Sequence, residues 1–295
     1  MGIASPPYML AANPVPADIL LLHGIDLGPI ARLILSIMST TPRPPISACI
    51  ITLNEADRIE ACLDSLAFCD EIVVVDSGSS DATCDLASAK GARVLVREFT
   101  GYRSQKQFAV DAARCDWVLC LDADERVTPA LRAAIESVRD GGFAAAAGYR
   151  FARATEYFGA FLRHGNAYPD RVMRLFDRRR GGWRGDREIH EHASVDGAVT
   201  TLSGDLEHHA YRSLSDQLGR LDRYARLMAE HQHARGRRAH LWNIVLNPFW
   251  RFVRGYLLRL GFFDGWRGLV YAYVEANYVR QKFIKLWLLE RNARI

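Results

Sequence analysis

The sequence predicts an α/β protein with a mainly parallel sheet and a C-terminal helical appendage. Short apolar runs alternate with segments of helical periodicity in the first half of the chain, as expected for strands joined by crossover helices. The last third has helical spacing, with two long stretches. We therefore expect a loosely ordered, proline-rich N-terminal segment (residues 1–45), an α/β domain (46–212) and a basic, aromatic-rich helical region (213–295).

Each predicted strand is an apolar run of a length typical of strands buried in a parallel sheet. Asn54 is expected to cap the helix that follows the first strand, and residues 103–114 are expected to form the helix before the fourth. Thr128 and Pro129 have the residue types favoured at the N-cap and first position of a helix. The predicted strands are residues 46–53, 71–76, 93–96, 117–122, 148–151 and 172–176.

Charge is distributed unevenly along the chain, although the net charge is only +4. From Arg212 to the C-terminus there are 16 basic and 6 acidic residues, whereas the rest of the chain has 22 and 28. An acidic first part and a basic last part indicate two tasks along one chain.

The cysteines and the N-terminal region indicate a protein of a reducing compartment. The six cysteines contain no C-x-x-C pair, so we expect buried free thiols and no zinc site. No export signal is expected, because the first basic residue is Arg32. Asp26, Pro29 and Arg32 interrupt the apolar stretch 19–38, which is a poor membrane span. Met38 is an alternative start of the native chain, a hypothesis that mass spectrometry of its N-terminus tests.

The segment Asp122-Ala123-Asp124 follows the fourth predicted strand. Ligands bind at the carboxyl ends of strands in open α/β sheets, so both carboxylates are expected to face a ligand. Such a pair suits a ribose hydroxyl and a divalent cation, Mg²⁺ or Mn²⁺, which would neutralise a diphosphate. The alternative is an acidic loop that only caps the helix after Thr128.

Polar residues also follow the first two strands, namely Thr52, Asn54 and Glu55 in one loop and Asp76 and Ser77 in the next. Carboxylates at these positions can accept hydrogen bonds from a nucleotide base or a ribose. The alternative is ordinary capping of the helices that follow, and both interpretations can hold together.

These segments carry a resemblance to a known family. Residues 50–56 (IITLNEA), 73–83 (VVVDSGSSDAT), 105–107 (QKQ) and 117–125 (WVLCLDADE) resemble glycosyltransferase family 2. The resemblance implies a nucleotide-diphospho-sugar transferase fold of the A type (GT-A). The chain is most similar to the lipopolysaccharide-core branch that adds β-1,4-glucose to heptose. That similarity extends over about residues 46–287, including 174–176 (RLF), 186–191 (DREIHE), 208–213 (HHAYRS) and 261–265 (GFFDG).

The resemblance implies roles for individual residues of the donor site. Asp76 would hold the base or ribose, with Thr52 and Glu55 beside the nucleotide. Lys106 would approach the base or diphosphate, unless it is simply solvated. Asp122 would contact the ribose or the metal, and Asp124 the metal. The nucleotide-sugar site implied in this way comprises Thr52, Asn54, Glu55, Asp76, Ser77, Lys106, Asp122 and Ala123.

The resemblance also implies a general base and a third metal ligand. Family 2 enzymes are expected to invert the anomeric centre, which requires a carboxylate to accept the proton of the acceptor hydroxyl. Glu191 is the candidate base and Asp186 the reserve; the alternative for Glu191 is a surface carboxylate paired with Arg187 or His192. His208 would contact the metal or the diphosphate, unless it is structural. Gln107 stands where the branch often has Asn, so no contact is assigned to it.

The helical stretches 241–260 and 265–291 interleave aromatic side chains with arginines. This composition suits the headgroup layer of an anionic membrane, and charges interrupt each stretch before it could span one. The alternative is an appendage packed on the core or on a second subunit. Nucleic acid is not expected as a partner, because no binding motif is present.

Together these observations predict an inverting, metal-dependent transferase on the inner face of the cytoplasmic membrane. The expected donor is UDP-glucose or a related nucleotide sugar, and the expected acceptor is a glycolipid of lipopolysaccharide core or other cell-envelope glycan synthesis. Arg171, Arg174 and residues 178–180 are candidates for contacts with acceptor phosphates, with a solvated basic turn as the alternative for the last. Two rival functions are a sugar nucleotidyltransferase and a membrane-associated nucleotide-sugar-binding protein without transfer activity.

Overall fold

An eight-stranded mixed sheet organises the chain, and a two-stranded arm and three C-terminal helices accompany it. The structure is a computed structural model that describes residues 43–184 and 192–293. The strands are β1 Ile46–Thr52, β2 Glu71–Asp76, β3 Arg93–Val96, β4 Trp117–Asp122, β5 Glu125–Val127, β6 Gly148–Thr155, β7 Asp170–Asp177, β8 Gly181–Arg184, β9 His192–Val195 and β10 Val199–His208. The helices are α1 Ile59–Ser65, α2 Thr83–Ala89, α3 Tyr102–Ala112, α4 Pro129–Asp140, α5 Leu214–Ala234, α6 Leu241–Phe252 and α7 Gly265–Leu289.

The sheet has the strand order β3-β2-β1-β4-β7-β6-β10-β5. Its first four strands are parallel, β7 runs antiparallel between β4 and β6, and β10 is parallel to β6. The predicted α/β fold with a mainly parallel sheet is confirmed. All six predicted strands are present with bounds close to those expected.

The central strands are buried on both faces, which explains their continuous apolar runs. Val74 packs into the core beneath α1 and α4, whereas Val73 and Val75 pack into the core beneath α3 and the β8–β9 arm. Leu119 and Cys120 of β4 divide between the two cores in the same way. Helices α1 and α4 cover one face of these strands, and α3 with the β8–β9 arm covers the other. Polar residues of these strands therefore reach solvent at the strand ends.

Two helix starts were predicted, with opposite outcomes. Thr128 caps α4 as expected, because its hydroxyl accepts a hydrogen bond from the Leu131 amide at 3.2 Å. The prediction for Asn54 is wrong: α1 starts at Ile59, and its N-cap is Arg58. Asn54 instead has a left-handed backbone (φ 55°) and donates and accepts hydrogen bonds across to the next loop.

The C-terminal region is helical, as predicted, but the first long stretch is broken. After α6 the chain forms a π-helical turn (Val253–Leu258) and then a 3₁₀ turn (Gly261–Asp264) before α7 begins. A side chain at Gly268 would place its Cβ 1.9 Å from the Gly261 carbonyl oxygen, so only glycine lets α7 lie this close to the 3₁₀ turn. Within residues 43–184 and 192–293, no helix has both the length and the hydropathy required to cross a membrane.

Residues 1–42, which make up most of the predicted N-terminal segment, lie outside the described residues. The boundary expected at residue 212 stays a prediction.

Candidate functional site

The polar residues singled out in the sequence meet at one edge of the sheet. Thr52 and Asp76 are paired neighbours at the ends of β1 and β2, and Asp122 pairs with Ile51 at the end of β4. Because these strands are parallel, their carboxyl ends share the edge where open α/β sheets bind ligands. Asp124 follows two residues after β4 ends, and the main-chain amide of His209 donates to its carbonyl oxygen at 2.8 Å.

Two cations hold the Asp122 carboxylate. Lys106 Nζ lies 3.0 Å from Oδ1, and Arg174 Nη2 lies 2.7 Å from Oδ2. Burial alone raises the pKa of Asp122, but Lys106 and Arg174 outweigh it and hold the pKa far below its usual range. Asp122 is therefore a permanent anion with both oxygens occupied. This favours a hydrogen-bonding role toward the ribose over direct ligation of a metal.

Asp124 has a different environment. Its Oδ2 lies 3.6 Å from Arg58 Nη1 and 3.7 Å from His208 Nε2, both beyond hydrogen-bonding distance. Burial, followed by repulsion from Asp122, Glu125 and Glu55, raises the pKa of Asp124 to about 7. Asp124 is a buried carboxylate that other carboxylates repel and that Arg58 only partly compensates, so an added cation would stabilise its ionised form.

His208 ends β10 opposite Asp124. Burial, followed by the charge of Arg153, lowers the pKa of His208 well below its usual range, so the imidazole is neutral. Its Nδ1 is buried without a hydrogen-bond partner in the described part of the chain. A neutral imidazole facing a carboxylate is a donor set that divalent metals accept.

A divalent cation therefore fits Asp124 and His208. No cluster of three or more His, Cys, Asp or Glu side chains suited to a metal occurs among the described residues. Two protein ligands are enough for Mg²⁺ or Mn²⁺ when substrate phosphates supply the rest of the coordination. The assignment of Asp122, Asp124 and His208 as metal ligands stays a prediction, with Asp124 and His208 the better placed.

The first two loops bind each other. The Asn54 amide donates to Ser79 Oγ at 2.8 Å, and Asn54 Oδ1 accepts from the Ser80 amide at 2.8 Å. Asp76 is buried, and its Oδ2 accepts from the amides of Gly78 and Ser79 at 2.8 and 2.7 Å. The Asp76 carboxylate thus shapes its own loop, while its predicted contact with the nucleotide stays a prediction.

The remaining residues predicted for the donor lie beside these loops. Ser77 Oγ accepts a hydrogen bond from Gln105 Nε2 at 3.2 Å. Thr52 Oγ1 is buried with no hydrogen-bond partner among the described residues, and its predicted contact with the nucleotide stays a prediction. Ala123 is buried between the two aspartates.

Glu55 is tied to the segment that follows β10. Arg212 Nη2 lies 2.9 Å from the Glu55 carboxylate and 2.7 Å from that of Asp57, and Arg212 Nε donates to Asp57 as well. Burial raises the pKa of Glu55 in spite of Arg212 and Arg58. Arg212 thereby connects the first loop to the strand end that carries His208.

Behind the edge lies a buried ionic network. Glu125, which is fully buried, accepts from Arg174 at 2.7 Å and from Arg153 at 3.1 Å, and its other oxygen accepts from the Asp122 amide at 3.0 Å. Arg174 bridges Asp122 and Glu125 and is itself buried, so it cannot serve the acceptor phosphates for which it was a candidate.

The arginine turn 178–180 is also in the wrong place for acceptor phosphates at this edge. Asp177 pairs with Trp117, the first residue of β4, which puts the turn at the opposite edge of the sheet from Asp122. Arg179 forms ion pairs with Asp116 and Asp177 at 2.8 Å and is largely exposed. The turn therefore fits the alternative given above, a solvated basic turn that does not contact acceptor phosphates.

The β8–β9 arm packs against Lys106 and Arg174, the two cations that hold Asp122. The Trp183 ring lies under Lys106 Nζ at 4.7 Å and under the Arg174 guanidinium at 5.6 Å. Its amide donates to Gln107 Oε1 at 2.8 Å, which gives Gln107 a positioning role that the sequence did not reveal. The candidate base Glu191 and the reserve Asp186 lie between β8 and β9, outside the described residues.

Sequence reasoning missed Arg58, Glu125, Arg153, Trp183 and Arg212. A signal existed for Glu125 and Arg174, because a charge beside or inside an apolar strand must have a buried partner. No local pattern identifies Arg58 or Arg212, whose partners are set by the tertiary fold.

Comparison with known proteins supports the family resemblance of the sequence. The model of the family described as glycosyl transferase family 2 matches residues 47–197. The lipopolysaccharide core biosynthesis glycosyltransferase LpsC of Rhizobium meliloti is 31% identical over 254 residues, covering 82% of this chain and 94% of that protein. An uncharacterized glycosyltransferase of Rickettsia bellii is 28% identical over 81% of this chain and 85% of its own.

Solved structures are also similar. A mannosyltransferase from Pyrobaculum calidifontis, in complex with GDP-Man and Mn²⁺, is 16% identical, with a TM-score of 0.49 over 84% of this chain and 88% of that chain. Glucosyl-3-phosphoglycerate synthase from Mycobacterium tuberculosis, in complex with Mn²⁺ and UDP, is 28% identical, with a TM-score of 0.32 over 38% of this chain and 44% of that chain.

The sheet order, the carboxylate-rich edge and the matched family model agree with one another. The fold is the nucleotide-diphospho-sugar transferase fold of the A type, with a C-terminal helical region added. By this fold, and by its similarity to LpsC over most of both chains, the protein belongs to glycosyl transferase family 2.

Proposed function

We propose that this enzyme transfers a hexose, with inversion, from a nucleotide-diphospho-sugar to a glycolipid of lipopolysaccharide core or related cell-envelope glycan synthesis. The observation that carries the proposal is that the two aspartates have different environments. Lys106 and Arg174 hold Asp122 as an anion, whereas Asp124 faces a neutral His208. The similarity to LpsC supports the acceptor class. UDP-glucose is the first donor to test.

In this proposal the edge of the sheet binds the donor, and the first two loops hold its nucleotide. Asp124 and His208 would hold Mg²⁺ or Mn²⁺, which when bound neutralises charge on the leaving diphosphate. Lys106 stays on Asp122 and keeps that carboxylate ionised and oriented toward the ribose. Thr52, at the end of β1, offers its unpartnered hydroxyl to the nucleotide.

The transfer itself needs a base on the acceptor side. We assign that role to Glu191, with Asp186 in reserve. The carboxylate takes the proton from the acceptor hydroxyl as its oxygen bonds to the anomeric carbon, and the bond from that carbon to the diphosphate oxygen breaks. The support for this assignment is the resemblance of residues 186–191 (DREIHE) to the family.

The proposal also assigns a location, the cytoplasmic side of the inner membrane. Two observations support it: all six cysteines are free, as expected in a reducing compartment, and the C-terminal helices expose aromatic side chains. Fractionation of native cells is the direct test, and recovery of the enzyme in an oxidising compartment would contradict it.

The decisive experiment is a donor panel with product analysis, using glycolipid extract as the acceptor. Nucleotide release and glycolipid product are measured for wild type, Asp124→Asn, Glu191→Gln and the control Asp196→Asn, whose side chain is 80% exposed. We expect both site variants to lose about 10²-fold or more in kcat, with the control unchanged. Wild-type turnover in both site variants would contradict the assignment. Donor binding without transfer to any acceptor would favour a binding protein.

A further inference from the structure

Helix α6 exposes one entirely apolar face. The spacing of its exposed side chains, which recur in adjacent pairs every four residues, places them on one side of the helix. Each is more than half exposed, and residues 241–250 contain no charged side chain. The opposite side carries the buried Pro248 and packs against α7. The exposed residues are Leu241, Trp242, Val245, Leu246, Phe249 and Trp250.

The apolar surface continues beyond the helix into the two turns that follow. Ring contacts link Phe252 to Tyr256 at 5.3 Å, Tyr256 to Phe262 at 6.3 Å, and Phe262 to Phe263 at 4.6 Å. Leu257, Leu258, Leu260 and Trp266 are exposed around this chain of rings. We call the exposed side chains of residues 241–250 and 257–266 the docking face. An apolar patch of this kind on one side of a protein marks an interaction surface.

The exposed charges of the segment that forms the docking face all have one sign. Between Glu230 and Asp264 there is no acidic residue, whereas the same segment contains six arginines. Arg251 forms an ion pair with Glu275. Arg254 and Arg259 are exposed and form no ion pair with any residue that the structure describes. An apolar face whose exposed flanking charges are arginines complements a surface that is apolar inside and anionic at its rim.

We infer that the docking face inserts into the headgroup layer of an anionic lipid bilayer. Exposed tryptophans and phenylalanines supply the apolar contact, and arginines at the margin pair with lipid phosphates. A second copy of the chain is a poorer occupant. A two-fold dimer would set the same patch against itself, so that the flanking arginines of both copies would approach one another without intervening carboxylates.

The loop of residues 156–169 connects the docking face to the donor edge. That loop leaves β6 at Thr155, which pairs with His208 in the sheet. Its Gly165 amide donates to the Arg259 carbonyl at 2.8 Å, and the amides of Arg163 and His164 donate to the Asp264 carboxylate at 3.1 and 2.9 Å. The bilayer contact and the donor edge thus share a fixed connection.

This connection deepens the proposed function and rests on it. A glycolipid acceptor keeps its acyl chains in the bilayer and presents its sugar at the headgroup layer. An enzyme fixed there by the docking face meets acceptor hydroxyls in two dimensions instead of extracting each lipid into water. Bilayer binding itself, however, requires neither donor nor transfer, so it can be tested separately.

The test is flotation of the full chain with vesicles of phosphatidylcholine alone or mixed with phosphatidylglycerol. We expect strong binding to the mixed vesicles, weak binding to neutral ones, and loss of binding as salt is raised. The double variant Trp242→Glu with Phe249→Glu should lower the partition coefficient by at least about tenfold. Arg254→Gln and Arg259→Gln should each lower binding to anionic vesicles by about fivefold.

The control is Val96→Glu, which puts one glutamate, against two in the double variant, on an apolar side chain that is 72% exposed but lies on β3, outside the docking face. It should float like wild type. Thermal melting checks that every variant is folded, and UDP-glucose binding by calorimetry follows the donor site independently. Normal flotation without transfer would contradict the proposed function and leave the docking face standing.

Three outcomes would overturn the inference. The first is that the folded wild type ignores anionic vesicles. The second is that Val96→Glu loses as much binding as the double variant. The third is that sedimentation velocity finds a dimer which Trp242→Glu dissociates while vesicle binding is absent throughout, in which case the face is a subunit interface.

Discussion

Asp124→Asn is expected to stabilise the metal-free enzyme above neutral pH. The Asp124 carboxylate is only 13% exposed, and its two nearest polar neighbours are beyond hydrogen-bonding distance. Asparagine has the same shape and removes the charge that Asp122, Glu125 and burial oppose. The substitution therefore removes an electrostatic cost and breaks no hydrogen bond of the Asp124 side chain with a described residue.

The magnitude follows from the pKa. Folding raises the pKa of Asp124 from its ordinary 3.8 to about 7. The folded state therefore holds its proton more tightly than the unfolded state, and stability falls as pH rises through that window. At about 1.4 kcal/mol per pKa unit, ionisation of this one group costs up to about 4 kcal/mol above pH 7 and nothing below about pH 4.

The assay is urea denaturation of wild type and variant at a series of pH values with a chelator present. The difference in free energy of unfolding should be near zero at about pH 4 and approach about 4 kcal/mol in favour of Asp124→Asn at about pH 8. Asp196→Asn, on an exposed carboxylate, should give no pH-dependent difference. A variant that is less stable than wild type at about pH 8, or a difference that does not change with pH, would refute the reasoning.

Three further predictions concern Mn²⁺ binding, the Arg174–Glu125 ion pair and the packing of Gly268. Binding of Mn²⁺ should release close to one proton at about pH 6 and almost none at about pH 8.5, because Asp124 must be ionised to bind the metal. Calorimetry in two buffers with different ionisation enthalpies measures the number of protons released. Equal proton release at the two pH values would contradict the prediction. Arg174→Met should lower the free energy of unfolding by about 3–5 kcal/mol by leaving Glu125 buried without its main partner. Adding Glu125→Gln should recover part of that loss in urea titrations, and no recovery would argue against the pairing. Gly268→Ala should cost about 1–3 kcal/mol and weaken vesicle binding, because its Cβ would displace the Gly261 turn; an unchanged melting temperature would be evidence against this packing.

Much of the sheet was predictable because its central strands are apolar on both faces. Such strands give continuous runs that stand out in a sequence, and the aspartates that end them mark the ligand edge. β10 was not predicted, since it is largely polar and has an irregular register between Thr201 and Asp205. Its pairing with β6 depends on contacts that no local pattern encodes.

The site was predictable in its residue types but not in its pairings. The resemblance assigns different roles to Asp122 and Asp124, but the cations that α3 and β7 bring to Asp122 could not be predicted from the sequence. Asn54 fits the pattern of a helix cap, yet its side chain accepts a hydrogen bond from Ser80, 26 residues away, and its backbone is left-handed. At Asn54, tertiary context overrode a local preference.

The hydrogen bonds between the first two loops have a consequence for the proposed nucleotide site. Asn54, Ser79 and Ser80 hold these loops together, and Asp76 fixes the second loop from within. The chain therefore loses the conformational entropy of both loops when it folds, and binding need not order them again. If the donor binds as proposed, Ser79→Ala would weaken its binding by loosening these loops in the free enzyme.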